Sequence, residues 1–455
     1  MNILIISSMP PHHSAGLGQV LIDCFERQGH NVDFLTLYSY VNQPKNVISV
    51  FETKNPNIHD NQSILYKRIR GMLKKFARKL GIIDSLRKIS KNKNSYISNN
   101  GISIKYPDES KPGVASSLIL AKIHKKYDAV VTQFWQDMIN STSLREIYNH
   151  LGCPIIIASP DMAPMTGGCF YFGDCRNFMT KCGKCAGFNS NEVHDQSRKN
   201  YLIKKDNYDS INCVFLGNTW MNIFAEQSKL FKNIEKMEII IDEKIFVPSC
   251  KENIRSLLGI PSSKNFILML KSDQHPRKGN NDILKSFEYF FDSLSEEQRK
   301  GCMVISVGED YFKRHSRHIN CDVFDYGFVD IYTLISLYQA SSFFVNASLD
   351  DAGPSMVNQS IMCGTPVICY DNGTAIDVIT DGKSGFKVQT GHTEELYKAL
   401  KRAYEMNDDE YTQLCENSRC IAVKHNSIDS VGQRYEAIIK KYSNLQRIKP
   451  NYPIA

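Results

Sequence analysis

The chain has 455 residues, 42% of them hydrophobic, which is enough for two or three domains of ordinary size with large cores. Its net charge of +7 is modest for that length. It suits an anionic substrate or an anionic membrane face and does not by itself indicate nucleic acid. No apolar run is long enough to cross a bilayer, and the opening MNILIISSMPP lacks a basic region and a cleavage site, so it reads as a strand. The fourteen cysteines are then expected to be reduced thiols in the cytoplasm, apart from one cluster.

Asn2–Ser7 predicts a buried strand. A loop runs to Gly18, a helix over Gln19–Gln28 and a second strand over Val32–Leu37, which together make a βαβ opening. Gly16 and Gly18 let the loop backbone approach a ligand closely, although any tight βα turn also wants glycine. Tyr66–Lys93 carries eleven Lys or Arg and one acid, with Ile69, Leu73, Phe76, Leu80 and Ile83 at spacings of three and four. That pattern is a basic amphipathic helix, suited to the inner face of a membrane or to packing on its own domain.

Asp128–Trp135 and Pro154–Ser159 read as parallel strands of the same sheet. Ligands bind beyond the carboxyl ends of such strands, which places Gln133, Trp135, Ser159 and Asp161 near a cleft. Asp161 would hold an acceptor hydroxyl or cap the next turn. Cys169, Cys175, Cys182 and Cys185 follow with the spacing C-x5-C-x6-C-x2-C, inside an insertion spanning 165–190. Four thiolates suit a closed, structural tetrahedral Zn²⁺ site; free thiols are the alternative. Met237–Pro248 is read as a strand, and the domain boundary is set at residue 244.

The second half repeats the alternation. Strands are expected at Phe266–Lys271, Cys302–Val307, Val323–Phe328, Phe343–Asn346 and Pro366–Tyr370. Helices are expected near Asp282–Leu294, Ile331–Ala340, Ser355–Met362 and Glu394–Tyr404, with a helical tail over Ile428–Leu445. Domains are set at 1–243 and 244–427, with 428–455 as a crossover helix and tail. The stretch SLDDAGPSMVNQSIMCGTPVICYD joins strand, loop, helix, turn and strand. Pro354 suits the first helical position, so the helix opens with backbone N–H groups of Ser355, Met356 and Val357, a natural phosphate seat. The basic site His275-Pro276-Arg277-Lys278-Gly279 lies at the carboxyl end of the first strand of this half.

These stretches carry a resemblance. Asp351 and Gln359, separated by seven residues and followed by Cys363-Gly364-Thr365-Pro366-Val367, resemble the nucleotide-sugar motif of family 4 retaining glycosyltransferases, which usually has two glutamates. Asp is one methylene shorter than Glu, and Gln carries no charge. Asp161-Met-Ala-Pro-Met-Thr-Gly-Gly-Cys is similar to a subgroup that builds bacterial surface polysaccharides. The resemblance implies an α/β fold of two Rossmann-like domains facing across a cleft (GT-B), the last helix crossing back to the first domain.

It further implies that Lys278 neutralises the donor diphosphate, with Arg277 helping. Asp351 would hold the donor sugar, Gln359 the ribose, Gly327 the nucleobase, and Gly16 and Gly18 the phosphates from the other side. The expected donor is a UDP- or GDP-sugar, the acceptor a saccharide, free or lipid-linked, with no catalytic metal and no nucleic acid. The alternatives are a nucleotide-sugar epimerase on the same fold and an inactive scaffold subunit.

Overall fold

The computed structural model describes residues 1–52, 97–99, 102–104, 108–135 and 137–444. Tyr66–Lys93, the basic amphipathic stretch, lies outside them. The first half contributes β1 (Asn2–Ile6), β2 (Asn31–Tyr38), β3 (Val47–Phe51), β4 (Ile97–Asn99), β5 (Ile102–Ile104), β6 (Ala129–Thr132), β7 (Ile155–Ala158), β8 (Cys169–Tyr171), β9 (Cys213–Gly217) and β10 (Ile234–Lys236). Seven of these pair in the order β10-β9-β7-β6-β1-β2-β3, every pair parallel. Ile3, Leu4, Ile5 and Ile6 are all fully buried, as a central parallel strand covered on both faces requires. β4, β5 and β8 form a separate antiparallel sheet beside the cysteines.

The second half contributes β11 (Phe266–Ser272), β12 (Cys302–Gly308), β13 (Asp322–Asp325), β14 (Phe343–Asn346), β15 (Val367–Tyr370) and β16 (Gly385–Val388), in the parallel order β13-β12-β11-β14-β15-β16. Two doubly wound parallel sheets thus face one another, the architecture the resemblance implies. Helix Ile428–Ser443 returns to the first domain. Its Ile428, Val431, Tyr435 and Ile439 share a core with Ile3, Ile5 and Phe25. Gly432 lets this helix approach closely, since a Cβ there would lie 2.9 Å from the Cys24 carbonyl oxygen.

Two expectations need correction, and two strands lie beyond those expected. Met237–Pro248 is not a strand: it runs between the domains, where it has no sheet edge to join and makes only an isolated bridge from Ile241 to Ser427. The loop through Gly18 is largely helix, because the helix starts at His13 and not at Gln19. Gly16 and Gly18 therefore lie within a helix, and Gly18 packs on Pro11, whose Cα would be 2.7 Å from an added Cβ. β3 and β16 extend the sheets by strands that short, partly exposed sequences do not announce.

Candidate active site at the domain cleft

Lys278 reaches its position through backbone constraints. Pro276–Lys278 is a single 3-10 turn after β11, closed by Gly279 at φ +66°. A Cβ on Gly279 would lie 1.7 Å from the Ala347 carbonyl oxygen, so only glycine lets this turn seat against the end of β14. Helix Asn280–Asp292 starts directly behind it.

Asp351 sits opposite, on the loop before helix Ser355–Met362. Lys278 Nζ donates to Asp351 Oδ2, and Arg277 Nη1 stands 3.6 Å from the same oxygen. Burial pushes the Asp351 carboxyl upward, but the two cations outweigh it and hold it below the ordinary aspartate value. Burial likewise lowers the Lys278 ammonium, more than Asp351 raises it. The loop itself is stitched by Asn372, whose Nδ2 donates to the Leu349 carbonyl at 2.7 Å. Arg277 Nη1 also donates to the Asp350 carbonyl at 3.1 Å.

Lys278 and the start of helix Ser355–Met362 share one cavity of about 520 Å³, lined also by Lys271, Asp273, Asn346, Ser348, Gly353, Pro354, Ser355 and Met356. An ammonium and a helix N-terminus facing one space have the chemistry to hold an anion such as a diphosphate. Val357 contributes less than expected, because its N–H donates to the Pro354 carbonyl at 2.9 Å. A second, wider cavity of about 990 Å³ lies between the domains and is lined by Leu17, Gln133, Ser159, Pro160, Asn218, Gly353 and Ser355 among others.

Gln359 is placed differently from the expectation. It lines neither cavity, is only 6% exposed, and its Oε1 accepts from the Tyr338 hydroxyl at 3.1 Å. A neutral amide suits that buried partner; a glutamate there would bury a charge. Asp161 acts as a local cap, its Oδ1 accepting from the Ala163 N–H at 2.9 Å. Gly327 sits after β13 at φ +63° with open space around it, and its carbonyl accepts from the Gly308 N–H at 2.7 Å.

Sequence reasoning misses three residues. Asn218 Nδ2 donates across the cleft to the Ala352 carbonyl at 2.5 Å. Gly173 N–H donates to Asp350 Oδ2 at 3.3 Å. The Arg277 guanidinium carbon lies 3.9 Å from the Tyr171 ring centroid. Each contact joins the two domains, so no local spacing signals it.

Cys169, Cys175, Cys182 and Cys185 line one small cavity with Ile102, Ile104, Phe178 and Phe188, and none is in a disulfide. Burial pushes the Cys169 thiol up to about 12. Burial raises the Cys185 thiol as well. The donor set has zinc chemistry, yet among the described residues no group of three or more His, Cys, Asp or Glu is arranged to hold a metal ion. No helix among the described residues is long and apolar enough to cross a membrane.

Comparison with known proteins agrees with this geometry. Residues 250–420 match the family of glycosyl transferases group 1. D-inositol 3-phosphate glycosyltransferase of Paenarthrobacter aurescens is 20% identical over 300 residues, covering 63% of this chain and 66% of that one. Sucrose-phosphate synthase from Thermosynechococcus elongatus superposes with a TM-score of 0.60 at 13% identity, covering 97% of this chain and 98% of its own. Anabaena HepE in complex with UDP and glucose gives 0.56 at 13% identity, covering 97% and 100%. The chain thus has the two-domain GT-B fold, and residues 250–420, which hold Lys278 and Asp351, match the glycosyl transferases group 1.

Proposed function

We propose that the protein is a retaining glycosyltransferase of the family 4 type. It moves a sugar from a UDP- or GDP-linked donor to a saccharide, free or lipid-linked, in the synthesis of a bacterial surface polysaccharide. The observation that carries this reading is the cavity shared by Lys278 and the N-terminus of helix Ser355–Met362. The family match over residues 250–420 supports it, as does the binding of UDP and UDP-glucose by the HepE structures.

The chemistry follows from charge. Breaking the bond between sugar C1 and the phosphate oxygen leaves a nucleoside diphosphate with one more negative charge. Lys278 and the helix N–H groups of Ser355 and Met356 stabilise that charge. The acceptor oxygen bonds to C1 on the face the phosphate leaves, and the departing phosphate oxygen takes the acceptor's proton. Asp351 serves as acceptor for a donor-sugar hydroxyl, with Arg277 left to balance its charge.

The test is product analysis. Incubation with UDP-glucose or GDP-mannose and a panel of saccharide acceptors, followed by NMR of the new glycosidic bond, should show transfer with the donor's anomeric configuration. An altered nucleotide sugar formed without acceptor would establish an epimerase instead. Binding without turnover would establish a scaffold.

A further inference from the structure

The cysteine-rich segment delivers two contacts to the donor loop. Tyr171 ends β8, two residues after Cys169, and Gly173 follows it before Cys175. Tyr171 is nearly buried, and its ring lies under the Arg277 guanidinium at 3.9 Å. Asp351 and Asp161 are the charged neighbours of its hydroxyl, with Arg277. Gly173 N–H holds Asp350 Oδ2 at 3.3 Å, while Arg176 ties the segment's turn together through the Gly173 and Cys175 carbonyls at 2.7 and 3.0 Å. The segment is anchored to its own domain by Phe172, which packs against Phe178 and Phe224 at 4.7 and 4.9 Å.

Two adjacent cations, Arg277 and Lys278, face one carboxylate, Asp351. They differ in what else holds them. Lys278 lines the phosphate-side cavity, whereas Arg277 does not. Arg277 is fixed by the Tyr171 ring, the Asp350 carbonyl and Asp351. Resting on the functional reading above, we propose that Tyr171 is a donor-positioning residue. It holds Arg277 within 3.6 Å of Asp351, so that Asp351 keeps a cation beside it and its place for the sugar when Lys278 turns from it to the diphosphate. A planar guanidinium suits this role, because it stacks on a ring while its N–H groups stay in plane for the acceptors.

Two parts of the donor become separable in this arrangement. Losing the Tyr171 ring frees Arg277 and loosens the sugar side, while the diphosphate seat of Lys278 and the helix remains. Calorimetric titration of the full chain with UDP, GDP, UDP-glucose and GDP-mannose reads both parts. For the base that binds, Tyr171→Leu should weaken the nucleotide sugar about five- to tenfold, in line with a desolvated cation–π contact. The free nucleoside diphosphate should keep its affinity within about twofold of wild type. Tyr171→Phe, which keeps the ring, should restore most of the sugar-linked affinity.

A Tyr171→Leu protein that loses both ligands equally, or neither, overturns the proposal. If that variant does not fold, Arg277→Gln examines the same stack from the other side and should show the same selective loss; an equal loss of both ligands overturns it again. Wild-type protein that binds none of the four ligands refutes the functional reading itself, a result distinct from failure of the Tyr171 role.

Discussion

Asp350 and Asp351 are neighbours in sequence whose carboxyl groups are driven in opposite directions. Asp351 faces Lys278 and Arg277 and is held below the ordinary value. Asp350 points toward the other domain, meets the Gly173 N–H, and is lifted to about 6, chiefly by burial. Its Oδ1 is buried with no hydrogen-bond partner among the described residues. One acid is therefore held in its charged form, while its neighbour titrates at about 6.

That contrast has a pH consequence. An aspartate whose folded value exceeds its unfolded value binds its proton more tightly in the native state. Stability from Asp350 is thus present when it is protonated and is lost as pH rises from about 4 through about 6. Asp350→Asn should raise stability at pH 7.5 by roughly 1–3 kcal/mol, because each tenfold change in proton affinity is worth about 1.36 kcal/mol, and the gain should shrink toward zero at about pH 4. Urea melts at the two pH values check this; an equal gain at both would show that burial of the charge is not the cause.

The Lys278–Asp351 pair should behave as a coupled unit. Lys278→Met leaves a buried carboxylate with Arg277 as its nearest cation, and should cost about 1–3 kcal/mol. Adding Asp351→Asn should recover part of that loss, giving a coupling energy of about 1–2 kcal/mol in a double-mutant cycle. Turnover should fall by about 10²–10³ in Lys278→Met, the scale of losing one preorganised charge stabiliser. Additive stability effects would show that the two side chains do not act as a pair.

Gly279 is the backbone condition for the site. Its positive φ and the 1.7 Å approach of a Cβ to the Ala347 carbonyl oxygen leave no room for alanine. Gly279→Ala should lower stability by about 3 kcal/mol or more through strain and displacement of the turn. Donor affinity should fall with it, because Lys278 moves. A thermal melt with and without nucleotide measures both.

The cysteine cluster offers a metal test. Zinc would have to draw the four thiols together and displace their protons, so its binding should strengthen as pH rises. The test is whether reduced protein given zinc retains about one equivalent after desalting and melts at a higher temperature, as four-thiolate structural sites do; retention of none would leave the cluster as free thiols. Cys182→Ser with Cys185→Ser should abolish both effects; retention of metal by that variant would place it elsewhere.

Much of the second domain is legible in the sequence because its strands are short apolar runs closed by Gly and Pro. Phe343–Asn346, Ile331–Ala340 and Ser355–Met362 fall at the residues their patterns predict. Motif position points to Lys278 and Asp351, but not to their direct pairing, since 73 residues separate them. Gln359 has the right spacing, yet its amide turns into the core, where Tyr338 supplies a partner that no linear pattern reveals. The helix at His13 overrides a glycine-based loop because residues further along it, including Leu21 and Phe25, bury against the sheet. Tyr171, Gly173 and Asn218 are invisible for one shared reason: their partners lie on the opposite domain.

The most direct measurement is calorimetric titration of UDP and GDP into wild type and Lys278→Ala. One of the two nucleotides should bind the wild type, and the variant should bind it at least about tenfold more weakly, the loss of roughly 1.4 kcal/mol or more from one charge-assisted contact. Equal affinity in the two proteins, for a nucleotide that binds, would contradict the assignment of Lys278 and the helix N-terminus as the diphosphate seat.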